Sequence, residues 1–300
     1  MFSSTKNLLS SIVDYAGLFP PAKLDMPEAM ANYALYQRTP YLWMLDRFVL
    51  AASRLGEFEA QLPSLSVEEN PAENQTRIWR LSVILSGDVE SALNCIQAIN
   101  RRDDIMVTAV ECPPIPSADI ESVLSRIPNG IDAFFELPLD QDWETSLARL
   151  QQLGGAAKVR TGGLTATAVP SPAQLGQFIL ACAEARAPFK ATAGLHHPLP
   201  AHYRLTYEPD SLSAPMHGFL NVAIAAAFSY HHKITASEML EILKEPSFEA
   251  FQFRVDGISW RHHWLTLSEI ENVRRQFFRS FGSCSFQEPV EDLKRLKLFS

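Results

Sequence analysis

The chain has 300 residues, 47% of them hydrophobic, and carries 34 acidic against 26 basic side chains for a net charge of −8. That length can bury a core large enough for one α/β barrel or two smaller domains. No run of lysine and arginine offers the electrostatic footprint of a nucleic-acid partner, and no apolar stretch is long enough to span a bilayer.

The start, MFSSTKNLLSSIVDYAGLF, has a short apolar run interrupted by Asp14, without the basic start and unbroken apolar segment of a signal peptide. Ser11–Phe19 reads as a first strand ended by Pro20-Pro21, and Asp25 as the N-cap of a helix over Met26–Tyr36. A second strand is expected over Tyr41–Val49, with Arg47 in it, and Ser53 starts the next helix. Pro63–Thr76 is polar and aperiodic and reads as a loop. Trp79–Leu85 is a third strand, and Ser86-Gly87-Asp88 turns into a helix over Val89–Ile99. Ile105–Glu111 is a fourth strand, followed by a helix over Ala118–Ile127. Ile131–Leu137 is a fifth, followed by a helix over Trp143–Leu153.

Next comes GAAKVRTGG, a helical segment, and then APFKATAGLHHP. Each apolar run carries one lysine, Lys158 or Lys190, and breaks into small residues and glycine. Between them Ser171-Pro172 can cap a helix whose apolar positions Leu175, Phe178, Ile179 and Cys182 recur at helical spacing. This β-α-β unit predicts two adjacent parallel strands with both lysines near their carboxyl ends. Residues 196–216 are rich in proline, tyrosine and charge, and are placed to act as a lid. Helices are expected over Met216–His231 and Ala236–Lys244, an eighth strand over Phe251–Trp260, an eighth helix over Leu267–Arg279 and a helical tail over Glu288–Lys297.

Strand then helix, eight times, is the pattern of a single-domain (β/α)8 barrel over residues 1–300. Glu111 to Glu136 is 25 residues and Glu136 to Lys158 is 22, the step of one repeated β-α unit. A doubly wound open sheet is the competing fold, but no G-x-G-x-x-G or P-loop motif is present and no cofactor is implied.

An ammonium in a strand this apolar costs several kcal/mol unless it is paired or loses its proton. Two adjacent lysines would depress each other's pKa, and a neutral amine is what Schiff-base chemistry requires. The plainer reading is that they pair with carboxylates. Glu111 and Glu136, each ending an apolar strand, can neutralise the lysines or relay protons, and Asp14 can join the network. Arg160, two residues past Lys158, shares its side of the strand and can hold a substrate anion. Thr161, Gly162, Gly163 and Gly194 lie in turns open to an anion, with Gly257 and Ser259 similarly placed on the expected eighth strand. Adjacent histidines on extended backbone point apart. That argues against a metal at His196-His197, His231-His232 or His262-His263, and leaves His196 as a hydrogen-bonding or acid/base group beside the pocket. No G-x-S-x-G elbow is present, and Cys112 lacks a helix N-terminus to activate it. The four cysteines have no C-x-x-C spacing.

K-x-x-T-G at Lys158–Gly162, Phe189-Lys190 running to Gly194, Val13-Asp14 with Leu18 and a proline, and Phe134-Phe135-Glu136 together resemble deoxyribose-phosphate aldolase. The lysines are 32 residues apart, close to that family's separation. The resemblance implies a barrel in which Lys158 forms the Schiff base and Lys190 lowers its pKa. The pattern departs at Tyr15-Ala16, at Arg160 and at Ala193-Gly194-Leu195-His196, which alters the phosphate-binding turn. The expectation is a cytoplasmic class I aldolase-like lyase taking a small carbonyl metabolite, with homo-oligomerisation left open. The alternatives are a Mg²⁺-dependent lyase or isomerase using Asp88, Glu111 and Glu136, and a non-catalytic metabolite-binding barrel.

Overall fold

The structure, a computed structural model, describes residues 1–66 and 78–299. The α/β barrel is present: eight parallel strands, each hydrogen-bonded to two neighbours, close on themselves. The first seven are β1 (Val13–Tyr15), β2 (Leu45–Ala51), β3 (Trp79–Ile84), β4 (Ile105–Cys112), β5 (Asp132–Glu136), β6 (Ala156–Arg160) and β7 (Phe189–Thr192). A short helix that the sequence did not signal, α1 (Ser3–Leu9), precedes β1. Then α2 (Met26–Tyr36), α3 (Leu55–Ser66), α4 (Val89–Ile99), α5 (Ile120–Leu124), α6 (Trp143–Leu153) and α7 (Pro172–Glu184) follow β1 to β6 in turn.

Helix starts follow local chemistry. Asp25, Asp88, Asp142 and Ser171 accept hydrogen bonds from first-turn N–H groups, and Ser171 with Gln174 completes a capping box. Four expectations shift. The first strand shrinks to three residues, because the chain turns from Ala16. Leu42–Met44 is a 3-10 turn, so the second strand begins at Leu45. The helix expected over Ala118–Ile127 is α only over Ile120–Leu124. Of the expected loop Pro63–Thr76, residues 63–66 extend α3 and 67–76 lie outside the described residues.

The largest correction concerns the eighth strand. Phe251–Trp260 does not enter the barrel. After β7 come a hairpin, β8 (Ala201–Arg204) with β9 (Ser213–Met216), and two helices, α8 (Phe219–Tyr230) and α9 (Ala236–Lys244). An antiparallel sheet of β10 (Phe251–Phe253), β11 (Gly257–Trp260) and β12 (His263–Thr266) follows. Asp256-Gly257 is a hairpin signal inside the run FQFRVDGISW, so the alternation belongs to two short strands rather than one long one. Next, α10 (Leu267–Gln276) leads into β13 (Phe278–Ser283), which closes the barrel between β7 and β1. The expected eighth helix therefore precedes the eighth strand, and the expected tail, α11 (Gln287–Arg295), follows it as the last barrel helix.

The pleat decides what faces the axis. Ala157 and Val159 of β6, Ala133 and Phe135 of β5, and Phe189 and Ala191 of β7 join the large core between barrel and helices. The alternate residues Lys158, Glu136 and Lys190 turn inward. Ala109, Phe134 and Ala156 form a separate apolar cluster. A register shift against β3 inserts Thr108 into β4, and Arg47 Nε donates to its hydroxyl at 2.9 Å.

Candidate active site

Five charged side chains and two serines, one from each of seven strands, make a buried polar layer. Lys190 Nζ lies 2.5 Å from Asp14 Oδ2 and 2.6 Å from Glu111 Oε1. Lys158 Nζ lies 3.2 Å from Glu111 Oε2 and 3.0 Å from Glu136 Oε2. Ser82 donates to Glu111 at 2.8 Å and Ser280 to Asp14 at 2.7 Å. The lysines are directly paired in the β6–β7 register and share one carboxylate. They therefore face the same end of the barrel.

Unpaired, each of these ions would cost several kcal/mol to bury. Here pairing outweighs burial. Burial disfavours the charge on Lys190, but Asp14 and Glu111 overcome it and push its pKa up. Burial likewise opposes ionisation of Glu111, and Lys190 and Lys158 overcome it and hold the carboxyl well below its usual range. Lys190 and Arg47 do the same for Asp14. The expected mutual depression of the two lysines thus fails for Lys190, because two anions sit closer to it than to any alternative partner. Its Nζ also lies 5.5 Å from the centre of the Phe134 ring.

Above this layer opens a cavity of about 570 Å³. Its lining includes Lys158, Glu111, Glu136 and Arg160 but not Lys190. Val49, Ile84, Thr192 and Gly282, inward positions near the carboxyl ends of β2, β3, β7 and β13, also line it. The segment expected as a lid does lie against the cavity, with Tyr203–Tyr207 and Met216 in its wall.

A second polar cluster borders the same cavity. His196 Nδ1 lies 2.8 Å from Glu288 Oε2, and His196 Nε2 lies 4.0 Å from Cys284 Sγ. The Tyr207 hydroxyl donates to Glu288 at 3.1 Å and lies 3.5 Å from Cys284 Sγ, tying the hairpin loop to the barrel end. Burial disfavours charge on His196, but its hydrogen bonds to Cys284 and Glu288 overcome it and raise its pKa to about 9. Cys112, by contrast, is a core thiol pushed up to about 12 by burial.

Of the expected site residues, Asp14, Glu111, Glu136, Lys158 and Lys190 converge as one network, and Arg160, Gly194 and His196 line the cavity. Thr161 is fully buried and donates to the carbonyls of Ala193 and Thr192 at 2.5 and 3.3 Å, so it braces the β6 and β7 turns instead of facing a ligand. Gly162 serves the same junction: a Cβ there would lie 2.7 Å from Gly194 Cα. Gly194 itself has φ +76°. Gly257 and Ser259 are not at the site. They pair with Thr266 and Trp264 in the antiparallel sheet, because the strand holding them is not the eighth barrel strand.

Asp88 is exposed and caps α4 through the N–H groups of Glu90 and Ser91, so it does not join Glu111 and Glu136 as a third metal carboxylate. The rings of His262 and His263 lie 4.0 Å apart, not turned away as expected, because His262 sits with Arg261 (φ 55°) in the tight turn and not on extended backbone. They group with Glu238 on α9, to which His263 Nε2 is bonded at 2.8 Å. Cys284, Glu288, Tyr207, Ser82 and Ser280 were not singled out from sequence. The misplaced eighth strand hid Ser280 and Cys284. Reading Phe278–Ser283 as a strand that runs into the amphipathic segment Gln287–Arg295 would have exposed them.

Comparison of the chain with protein-family models, with curated proteins and with solved structures finds no match. No helix among the described residues is long and apolar enough to cross a membrane.

Proposed function

We propose that this protein is a lysine-dependent, Schiff-base-forming lyase of the aldolase kind that takes a small carbonyl compound. The observation that supports it best is the placement of Lys158. It is the amine at the floor of the cavity, within 3.0 Å of a carboxylate that also faces the cavity.

The residues divide the chemistry between them. Glu136 takes a proton from the Lys158 ammonium, and the freed amine attacks the substrate carbonyl carbon. The carbonyl oxygen takes one proton from the attacking nitrogen and a second back from Glu136 and leaves as water, giving an iminium on Lys158 and restoring the Glu136 carboxylate. Cleavage of the adjacent carbon–carbon bond sends its electron pair into that iminium, while Glu136 accepts the proton released by the substrate hydroxyl. Glu111 is the wrong residue for proton carriage, since two ammonium groups hold it ionised. Its role is that of a fixed anion. Lys190 acts through it, lying 2.6 Å from the carboxylate that it shares with Lys158. Protonated His196 is a donor for a substrate oxygen at the wall, and exposed Arg160 fits an anionic end of the substrate.

Sodium borohydride added with a panel of small aldehydes and ketones tests the proposal by intact mass. A stable adduct that is absent from Lys158→Met is expected. Equal labelling of wild type and Lys158→Met would overturn it.

A further inference from the structure

The opposite, N-terminal end of the barrel holds a second cavity, of about 430 Å³. No cluster of basic residues is visible along the sequence, yet here five arginines converge from four elements: Arg47 of β2, Arg80 of β3, Arg274 and Arg275 of α10, and Arg279 of β13. The carboxylates in its lining are Asp46 and Glu271. Asp132 lies behind them, 2.9 Å from both Arg47 and Arg279. Counting Asp14, 3.7 Å from Arg47 but shared with Lys190, five guanidinium groups face four carboxylates, so the basin keeps a net positive charge in a chain whose net charge is −8.

An internal salt-bridge plug would balance its charges, and this cluster does not. Arg274 donates to the backbone carbonyls of Ser10, Ser11, Phe278 and Arg279 and has no carboxylate partner. Its Nε is buried without a hydrogen bond, as is Arg47 Nη1, which sits 3.1 Å from Asp46 Oδ2 without hydrogen-bond geometry. Arg47 as a whole is only 4% exposed. Arg275 is exposed, and among the described residues it forms no ion pair. Burial pushes the Arg274 pKa down to about 9, the behaviour of a cation short of anions. Every cation here is an arginine, whose planar fork suits phosphate oxygens two at a time. The concave shape suits a small molecule and not the track of a nucleic-acid backbone.

We infer that the N-terminal end of the barrel is a binding site for a small anion bearing two or more phosphate-type groups. The inference does not depend on the chemistry proposed for Lys158.

Inorganic pyrophosphate and inorganic phosphate are the probes, titrated at constant ionic strength against the intact chain, with binding read by calorimetry and by Tm. Pyrophosphate is expected to raise Tm and to bind more tightly than phosphate. Arg275→Gln, at an exposed position, and Arg80→Gln are each expected to weaken it by about tenfold or more, as loss of a charge-assisted hydrogen bond implies. Arg160→Gln, at the other mouth, is expected to leave pyrophosphate affinity unchanged. Binding that survives both basin variants, binding lost in Arg160→Gln, phosphate binding as tightly as pyrophosphate, or no binding of either probe would each overturn the inference.

Discussion

The two lysines of the barrel are neighbours in register, yet they occupy different worlds. Lys190 is fully buried, clasped at 2.5 and 2.6 Å by two carboxylates, and does not line the cavity above them. Lys158 shares one of those carboxylates at the longer distance of 3.2 Å and opens onto a cavity of about 570 Å³. The same residue type one strand apart is thus enclosed in one case and faces a cavity in the other. Each has two carboxylates; what separates them is how close those carboxylates lie and access to the cavity, not position on the strand.

The sharpest way to break that contrast is to remove each amine in turn. Lys190→Met takes from buried Asp14 and Glu111 their closest cation, leaving only Arg47 at 3.7 Å and Lys158 at 3.2 Å. A loss of about 3–5 kcal/mol of unfolding free energy is expected by denaturant titration. Lys158→Met keeps Lys190 in place to neutralise Glu111 and leaves Glu136 facing the cavity. Its stability is expected within about 1 kcal/mol of wild type, in either direction, as at other active-site positions. Equal losses for the two variants would erase the distinction.

A pH titration probes the wall of the cavity. The folded-state pKa of His196, about 9, lies above its unfolded value of 6.5. The folded chain binds the extra proton, so this contribution is complete below pH 6.5 and disappears as pH rises through about 9. Unfolding free energy is expected to fall by roughly 3 kcal/mol across that window. His196→Gln should flatten the slope; an unchanged slope would show that the proton sits elsewhere. At the acid side the sign is opposite. Asp14 and Glu111 are depressed, so their contribution is present above their ordinary carboxyl range and is lost as pH falls below it. Lys190→Met should weaken that acid limb.

The smallest expected effect is at the mouth. Arg160→Gln should raise KM for an anionic carbonyl substrate by about tenfold while leaving kcat nearly unchanged, since an exposed clamp contributes uniform binding. A fall in kcat alone would place Arg160 in the chemistry instead.

How much of this the sequence revealed depended on the kind of signal. A single charge in an apolar strand is conspicuous, so Asp14, Glu111, Glu136, Lys158 and Lys190 could each be found, and period-two alternation turned them all toward one axis. Seven of the eight barrel strands were legible for the same reason. The eighth was not: Phe278–Ser283 follows a helix without a clear break, while the stronger alternation in Phe251–Trp260 belongs to a hairpin outside the barrel. Partnerships were not legible either. Ser82 and Ser280 look like any serine until they donate to Glu111 and Asp14. His196, Cys284 and Glu288 meet only because the barrel closes. The five basin arginines are spread from residue 47 to residue 279, so no local count could gather them.

The central claim is that Lys158, and not Lys190, is the amine that reaches a carbonyl. Peptide mapping after borohydride reduction with a reactive aldehyde answers it directly. The account predicts a reduced adduct on the peptide containing Lys158 and none on the peptide containing Lys190. An adduct on Lys190, or labelling spread over surface lysines with Lys158 unmodified, would contradict it.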